Sequence, residues 1–281
     1  MNAPQKWTSD AADIAREERK RESSPSSFFF SQGQALVLAA RYFRDDRLKS
    51  RAFGGVARKH RHRIHLALFG QMMAALEFLL KDFVASVINL VPTFDDALIQ
   101  AKWIVVDAER VLSLRSASSS AGSILLHGTL GWYDSKGVNA RYSAIFKKAP
   151  IDNSEMPDLD RLWLLRHSVA HNAGFVPGYD AVRGGMPSLA DGVAAVDDVF
   201  LSESLDFLCV VARRIAEDVG DTVVLTWLKS RVPAGKDYQR DKAIYQKLKL
   251  LATFVESRAA ELPSITKGNY SADWKKAQAL P

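Results

Sequence analysis

The sequence predicts an all-α protein: an up-and-down helical bundle with helical extensions at both ends and a long loop or short β-hairpin late in the bundle. Three observations predict it. Apolar residues recur at three- and four-residue spacing in four long segments, which is the mark of helices that bury one face. The longest such segment, from Val56 to Leu90, forms a seam through Leu66, Phe69, Met73, Leu76, Leu80, Phe83 and Val87. By contrast, the stretch from Phe175 to Leu201 is rich in Gly and Pro and contains no helical run of useful length.

Residues 1–27 are polar, and the mixed-charge run AREERKRE followed by SSPSS reads as a short exposed helix and a joint. An accessory helix follows over Gln32 to Ser50, with Leu36, Ala39, Tyr42 and Phe43 at helical spacing. The AFGG sequence at 52–55 separates it from the long seam helix. That helix opens on Arg58, Lys59, His60, Arg61, His62, Arg63, Ile64 and His65, a concentration of positive charge. Three readings fit this cluster: a solvated helix start, a track for phosphates, or a metal site at His60, His62 and His65. The last lacks an accompanying Cys or carboxylate cluster.

Glu77 sits about 40° off the seam, half turned toward the bundle. It has two readings, a surface pair with Lys81 or the partner of Arg166. Pro92 ends the seam helix, and Asp95 and Asp96 cap a second one predicted through Leu98, Ala101, Val105, Ala108 and Leu112. SASSSAGS at 116–123 is a loop, and His127 reads as a loop histidine. Helix resumes from Val138 to Lys148, and Asp158 is the expected cap of the helix after it.

That next helix, LWLLRHSVAHNAG from Leu162 to Gly174, carries the sharpest functional signal. Leu159, Leu162, Leu165, Val169 and Ala170 share a face, and Arg166 falls within it. A guanidinium among core leucines is costly unless it is paired or opens onto a cavity or interface. His167 and His171, four residues apart, lie together on the adjoining face. Asn172, Ala173 and Gly174 end the helix, with Gly174 expected in the left-handed cap. Ser202 to Gly220 supplies a further bundle helix through Leu205, Leu208, Ala212, Ile215 and Val219, with Gly220 as its stop. Thr222 to Arg231 and Asp237 to Leu262 are further helical segments, and the polar tail from Pro263 reads as loosely ordered. The organisation expected is an N-terminal segment over 1–55, a bundle over 56–220 and a C-terminal extension over 221–281.

Arg166, then four residues, then His171, with polar His167 directly after the arginine, resembles the RxxxxH motif of the HEPN-domain ribonucleases. The resemblance covers about His65 to Gly220. It implies a HEPN-like bundle, a homodimer that brings two motifs together, and metal-independent cleavage of RNA. His171 would be the general acid or base and Arg166 the group on the scissile phosphate. His167 would position substrate, with Glu77 and Asn172 in supporting roles. Family members recur as toxins and phage-defence effectors, so an antitoxin or defence-system partner protein is implied as well. The alternative within the family is a non-catalytic RNA-binding or scaffolding subunit.

The chemistry suits the residue types. Imidazole titrates near neutrality and can move a proton in either direction, while guanidinium offers a phosphate paired donors and keeps its charge. Arg58, Lys59, Arg61 and Arg63 are candidate RNA contacts, as are Arg183 and Tyr179 in the segment after the motif. No metal or cofactor is expected: the HisSerValAlaHis spacing matches a zinc-protease pair, but Ser168 stands where that motif needs Glu. The net charge of +6 is compatible with a polyanionic partner. The lone Cys209 suits a small core residue in a cytoplasmic protein. Gln71, Glu77 and Lys81 interrupt the most apolar run, so no membrane span is expected.

Overall fold

The computed structural model describes residues 24–44, 54–101, 103, 122, 131–231, 237–255 and 264–279, with side chains from 60 onward in the long helix. Helices dominate, and the described strands form one two-stranded antiparallel ribbon. The first helix, α1, spans Pro25–Tyr42. Its SSPSS sequence is a cap, not a joint. Ser24 takes extended backbone geometry and accepts from the Ser27 N–H, Pro25 occupies the first turn, and the Ser24 hydroxyl donates to the Thr253 carbonyl at 2.6 Å. The accessory helix therefore starts earlier than its spacing suggested, and Phe29, Val37 and Ala40 bury its inner face.

Helix α2, Gly54–Leu90, is the 37-residue spine of the molecule. Phe69, Met72, Met73, Leu76, Leu80, Phe83 and Val87 are fully enclosed, as the seam requires. After Val91 the chain turns through Pro92–Phe94 into α3, Asp95–Gln100. The second helix expected through Leu112 stops here, because Ala101 leaves helical geometry at ψ 83°. The rest of that expected helix, and His127, lie outside the described residues.

Helix α4, Ser135–Phe146, is capped by Asp134, and α5, Met156–Asn172, is the motif helix. Asp158 is not its cap. The helix begins two residues earlier, on Pro157 in its first turn, and Asp158 instead pairs with Arg161 at 2.7 Å. A short excursion follows: β1 Phe175–Val176, α6 Gly178–Arg183 and β2 Gly192–Val193, with Phe175 opposite Val193.

Helix α7, Asp198–Arg214, does not stop at Gly220. It passes through a π-helical turn at Ile215–Val219 and continues as α8, Gly220–Ser230. The wider turn leaves Ile215, Ala216 and Val219 all buried. Gly220 is needed for close approach, since a Cβ there would stand 2.7 Å from the Ala252 Cα. Helix α9 is Tyr238–Leu251, shorter than the segment expected to reach Leu262, and Val255 beyond it takes a left-handed φ of 46°.

The tail corrects another expectation. Tyr270–Gln278 forms α10, whose Tyr270, Trp274 and Ala277 are buried against α8, with the Trp274 indole donating to the Leu228 carbonyl. No described helix is long and apolar enough to cross a membrane.

Candidate active site

The motif helix lies antiparallel along α2. Leu66 meets Gly174, Gly70 meets Val169, and farther on Glu77 meets Arg166. The first turns of α2 consequently project past the C-terminal end of the motif helix. Packing is uneven along α5: Leu159, Trp163, Leu165 and Ser168 are buried, whereas Ala170, expected on the core face, is exposed.

Arg166 is half-buried and directed at α2. Its Nη2 lies 3.9 Å from Glu77 Oε2, with side-chain exposures of 27% and 14%. The pair is loose, and the buried Glu77 Oε1 has no hydrogen-bond partner among the described residues. Of the two readings of Glu77, the geometry selects the arginine over Lys81.

His167 and His171 are exposed, their ring centroids 4.6 Å apart and their planes tilted by 43°. They belong to a stripe of Asp160, Leu164, His167 and His171 at spacings of four, three and four, which is one face of a helix. Arg166 and His171 thus point about 140° apart on the same helix. Asn172 is half-buried as the last helical residue. The left-handed position falls on Ala173 at φ 52°, with Gly174 next at φ 90°, and both N–H groups return to the Ser168 carbonyl.

The histidine stripe borders a cavity of about 580 Å³ lined by residues from three segments. Tyr133 and Asp134 come from the approach to α4, Asp160 to His167 from α5, and Asp180 to Gly185 from α6 and its turn. Arg183, a sequence candidate, is there. Tyr179 is 76% exposed and not among the lining residues. Sequence reasoning missed Tyr133, Arg161, Trp163 and Asp180. The periodic signal available was the stripe beginning at Asp160.

The basic start of α2 divides. His65 is buried, its Nδ1 3.1 Å from the Val196 carbonyl and its Nε2 3.3 Å from that of Ala40, so it ties three segments together. Arg61 and His62 border a smaller cavity of about 270 Å³ with Asp197, and Arg63 is exposed. The side chains of Arg58 and Lys59 lie outside the described residues. No three His, Cys, Asp or Glu side chains among the described residues are grouped to hold a metal ion. Cys209 is half-buried, and burial pushes its thiol up to about 12.

Comparison with known proteins finds no matching family model, no matching curated protein and no matching solved structure.

Proposed function

We propose that the chain is a metal-independent endoribonuclease of the HEPN type, acting as a homodimer, with His171 and Arg166 as its catalytic residues. The observation that carries this reading is the pair of solvent-facing imidazoles, His167 and His171, on the last turns of the helix whose Arg166 is held by Glu77 without being sealed off. One imidazole takes the proton of a ribose 2′-hydroxyl. The freed oxygen attacks the adjacent phosphorus, and the bond to the 5′-oxygen breaks. A second imidazole protonates that leaving oxygen, so the products are a 2′,3′-cyclic phosphate and a 5′-hydroxyl.

In-line displacement places base and acid on opposite sides of the phosphorus. His167 and His171, side by side on one helix face, approach from the same side. Arg166 points away from both. A second copy facing the first supplies what one chain lacks: an opposing imidazole and a guanidinium for the charge on the phosphoryl oxygens. A toxin or antiphage-defence effector, restrained by an antitoxin or other defence-system protein, is the biology consistent with such chemistry.

The test is cleavage of end-labelled RNA by purified protein in excess EDTA, with product ends analysed. Parent protein should leave cyclic phosphate ends, and His171→Ala should leave the RNA intact. The Arg166–Glu77 contact also favours a second reading, in which that pair only braces the bundle and the protein binds RNA or scaffolds a complex. Uncut RNA that is nonetheless bound by parent and variant alike would select it.

A further inference from the structure

We propose that the cavity on the histidine face of α5 binds one nucleotide of the RNA, taking the base and ribose inside and leaving the phosphate at the His167 edge. The assignment of that nucleotide to a cleavable strand rests on the ribonuclease reading above.

Most of the charges around the cavity are already committed to protein partners. Asp160 accepts from the Ser135 N–H and hydroxyl, both at 2.9 Å, and Asp134 accepts from the Gly137 N–H. Arg161 donates to Asp158 at 2.7 Å and to the Gly184 carbonyl at 3.1 Å, which fixes its guanidinium in the wall. Asp180 and Arg183 remain, three residues apart on α6, with no partner among the described residues. One offers acceptors and the other donors. Their combination matches a nucleobase edge, which presents donors and acceptors side by side.

A bare anion does not fit. Two arginines stand against three aspartates around the cavity, so a phosphate inside would meet net negative charge. A flat heterocycle does fit. Tyr133, 60% exposed, supplies aromatic surface of the kind on which unpaired RNA bases stack. The volume of about 580 Å³ lies in the range of small-ligand pockets and accommodates a ribose with its base. The stripe Asp160, Leu164, His167, His171 runs from the cavity wall to the helix end, so the strand leaving the cavity passes the imidazoles.

Binding is measured by calorimetry on the full-length His171→Ala protein with the four 3′-nucleoside monophosphates, and cleavage on the parent chain. At least one mononucleotide should bind with Kd below about 1 mM. Tyr133→Ala and Arg183→Ala, both at exposed positions, should each weaken it about fivefold or more, while Tyr133→Phe stays within about twofold. Inorganic phosphate should not compete. In the parent background the two alanine variants should raise KM and flatten the preference among cleavage sites.

If no mononucleotide binds, or the alanine variants bind like the parent, or a free nucleotide accelerates cleavage as an effector, the cavity assignment falls. Should RNA still be cut in those cases, the ribonuclease reading survives it. Mononucleotide binding that depends on Tyr133 and Arg183 in a protein that cuts no RNA would leave the cavity as a nucleotide site and remove the ribonuclease reading instead.

Discussion

Two arginine–glutamate pairs anchor the motif helix, one at each end, and they are built differently. At the N-terminal end Arg214 reaches from α7 to Glu155 through two parallel hydrogen bonds of 2.6 and 2.9 Å, and donates to the Pro150 carbonyl at 3.0 Å. That is a bidentate clamp of the kind arginine forms best. The hydrogen bond from Arg214 holds the Glu155 carboxyl below its usual range, and Glu155 in turn raises the guanidinium. Toward the C-terminal end, Arg166 meets Glu77 at a single distance of 3.9 Å, and one carboxylate oxygen is left unpartnered. The first pair uses its arginine up in holding the fold. The second keeps its arginine near a carboxylate with donors to spare, which is the condition a phosphate-binding guanidinium needs.

The largest expected effect separates the two ends by activity alone. His171→Ala should lower the rate of RNA cleavage by about 100-fold or more while the unfolding midpoint in urea stays near that of the parent, because the imidazole is exposed. Arg166→Lys keeps the charge and loses the planar fork, so cleavage should fall about tenfold or more with stability unchanged. Equal loss of stability and activity in that variant would erase the contrast between the pairs.

Arg214→Met should act the other way, costing about 1–2 kcal/mol in urea unfolding near neutral pH by removing charge-assisted hydrogen bonds at a partly buried site. Its pH dependence has a definite sign. A depressed carboxylate contributes stability above its unfolded pKa, near 4.5, and that contribution is lost as pH falls through the lower folded value. The gap between parent and Arg214→Met should therefore be full at neutral pH and close in acid below about 4.5, as urea titrations at a series of pH values would show. The smallest effect is expected for Glu77→Gln, a loss of about threefold in cleavage from a less firmly oriented Arg166.

The spine was legible because burial follows a regular period, and Phe69, Met73, Leu76, Leu80 and Phe83 announce it without help from the rest of the chain. The motif helix was legible as a helix but not in its buried face, where Trp163 and Ser168 are enclosed and Ala170 is not. The Glu77–Arg166 contact was legible as one of two alternatives, since Glu77 stands half turned toward the bundle and Arg166 falls within the apolar face of its own helix. Other features were hidden for identifiable reasons. Tyr270, Trp274 and Ala277 have helical spacing, but five polar residues in the same helix masked a face that only the α8 surface makes worth burying. Ser24 and Pro25 carry both a turn signal and a helix-start signal, and the chain uses the second. Of the cavity lining outside the motif helix only Arg183 was legible, because Tyr133 and Asp180 belong to segments without periodicity and only tertiary packing brings them to the histidine stripe. Gly220 misled outright: glycine after an apolar run is the ordinary stop signal, yet here the backbone stays helical at φ −59°.

That glycine has a mechanical consequence. Because the Ala252 Cα lies where its side chain would be, α8 and the end of α9 mesh at a point with no tolerance for even a methyl group, and Trp227, Tyr245 and Trp274 stack their rings beside one another in the same region. Cutting the chain after Val219 would strip Val223, Val224 and Trp227 from the end of a continuous rod and open the hydrophobic interior on that side. Residues beyond Gly220 are a keystone for the helices before them, and a shortened protein would lose rigidity where the motif helix is anchored by Arg214.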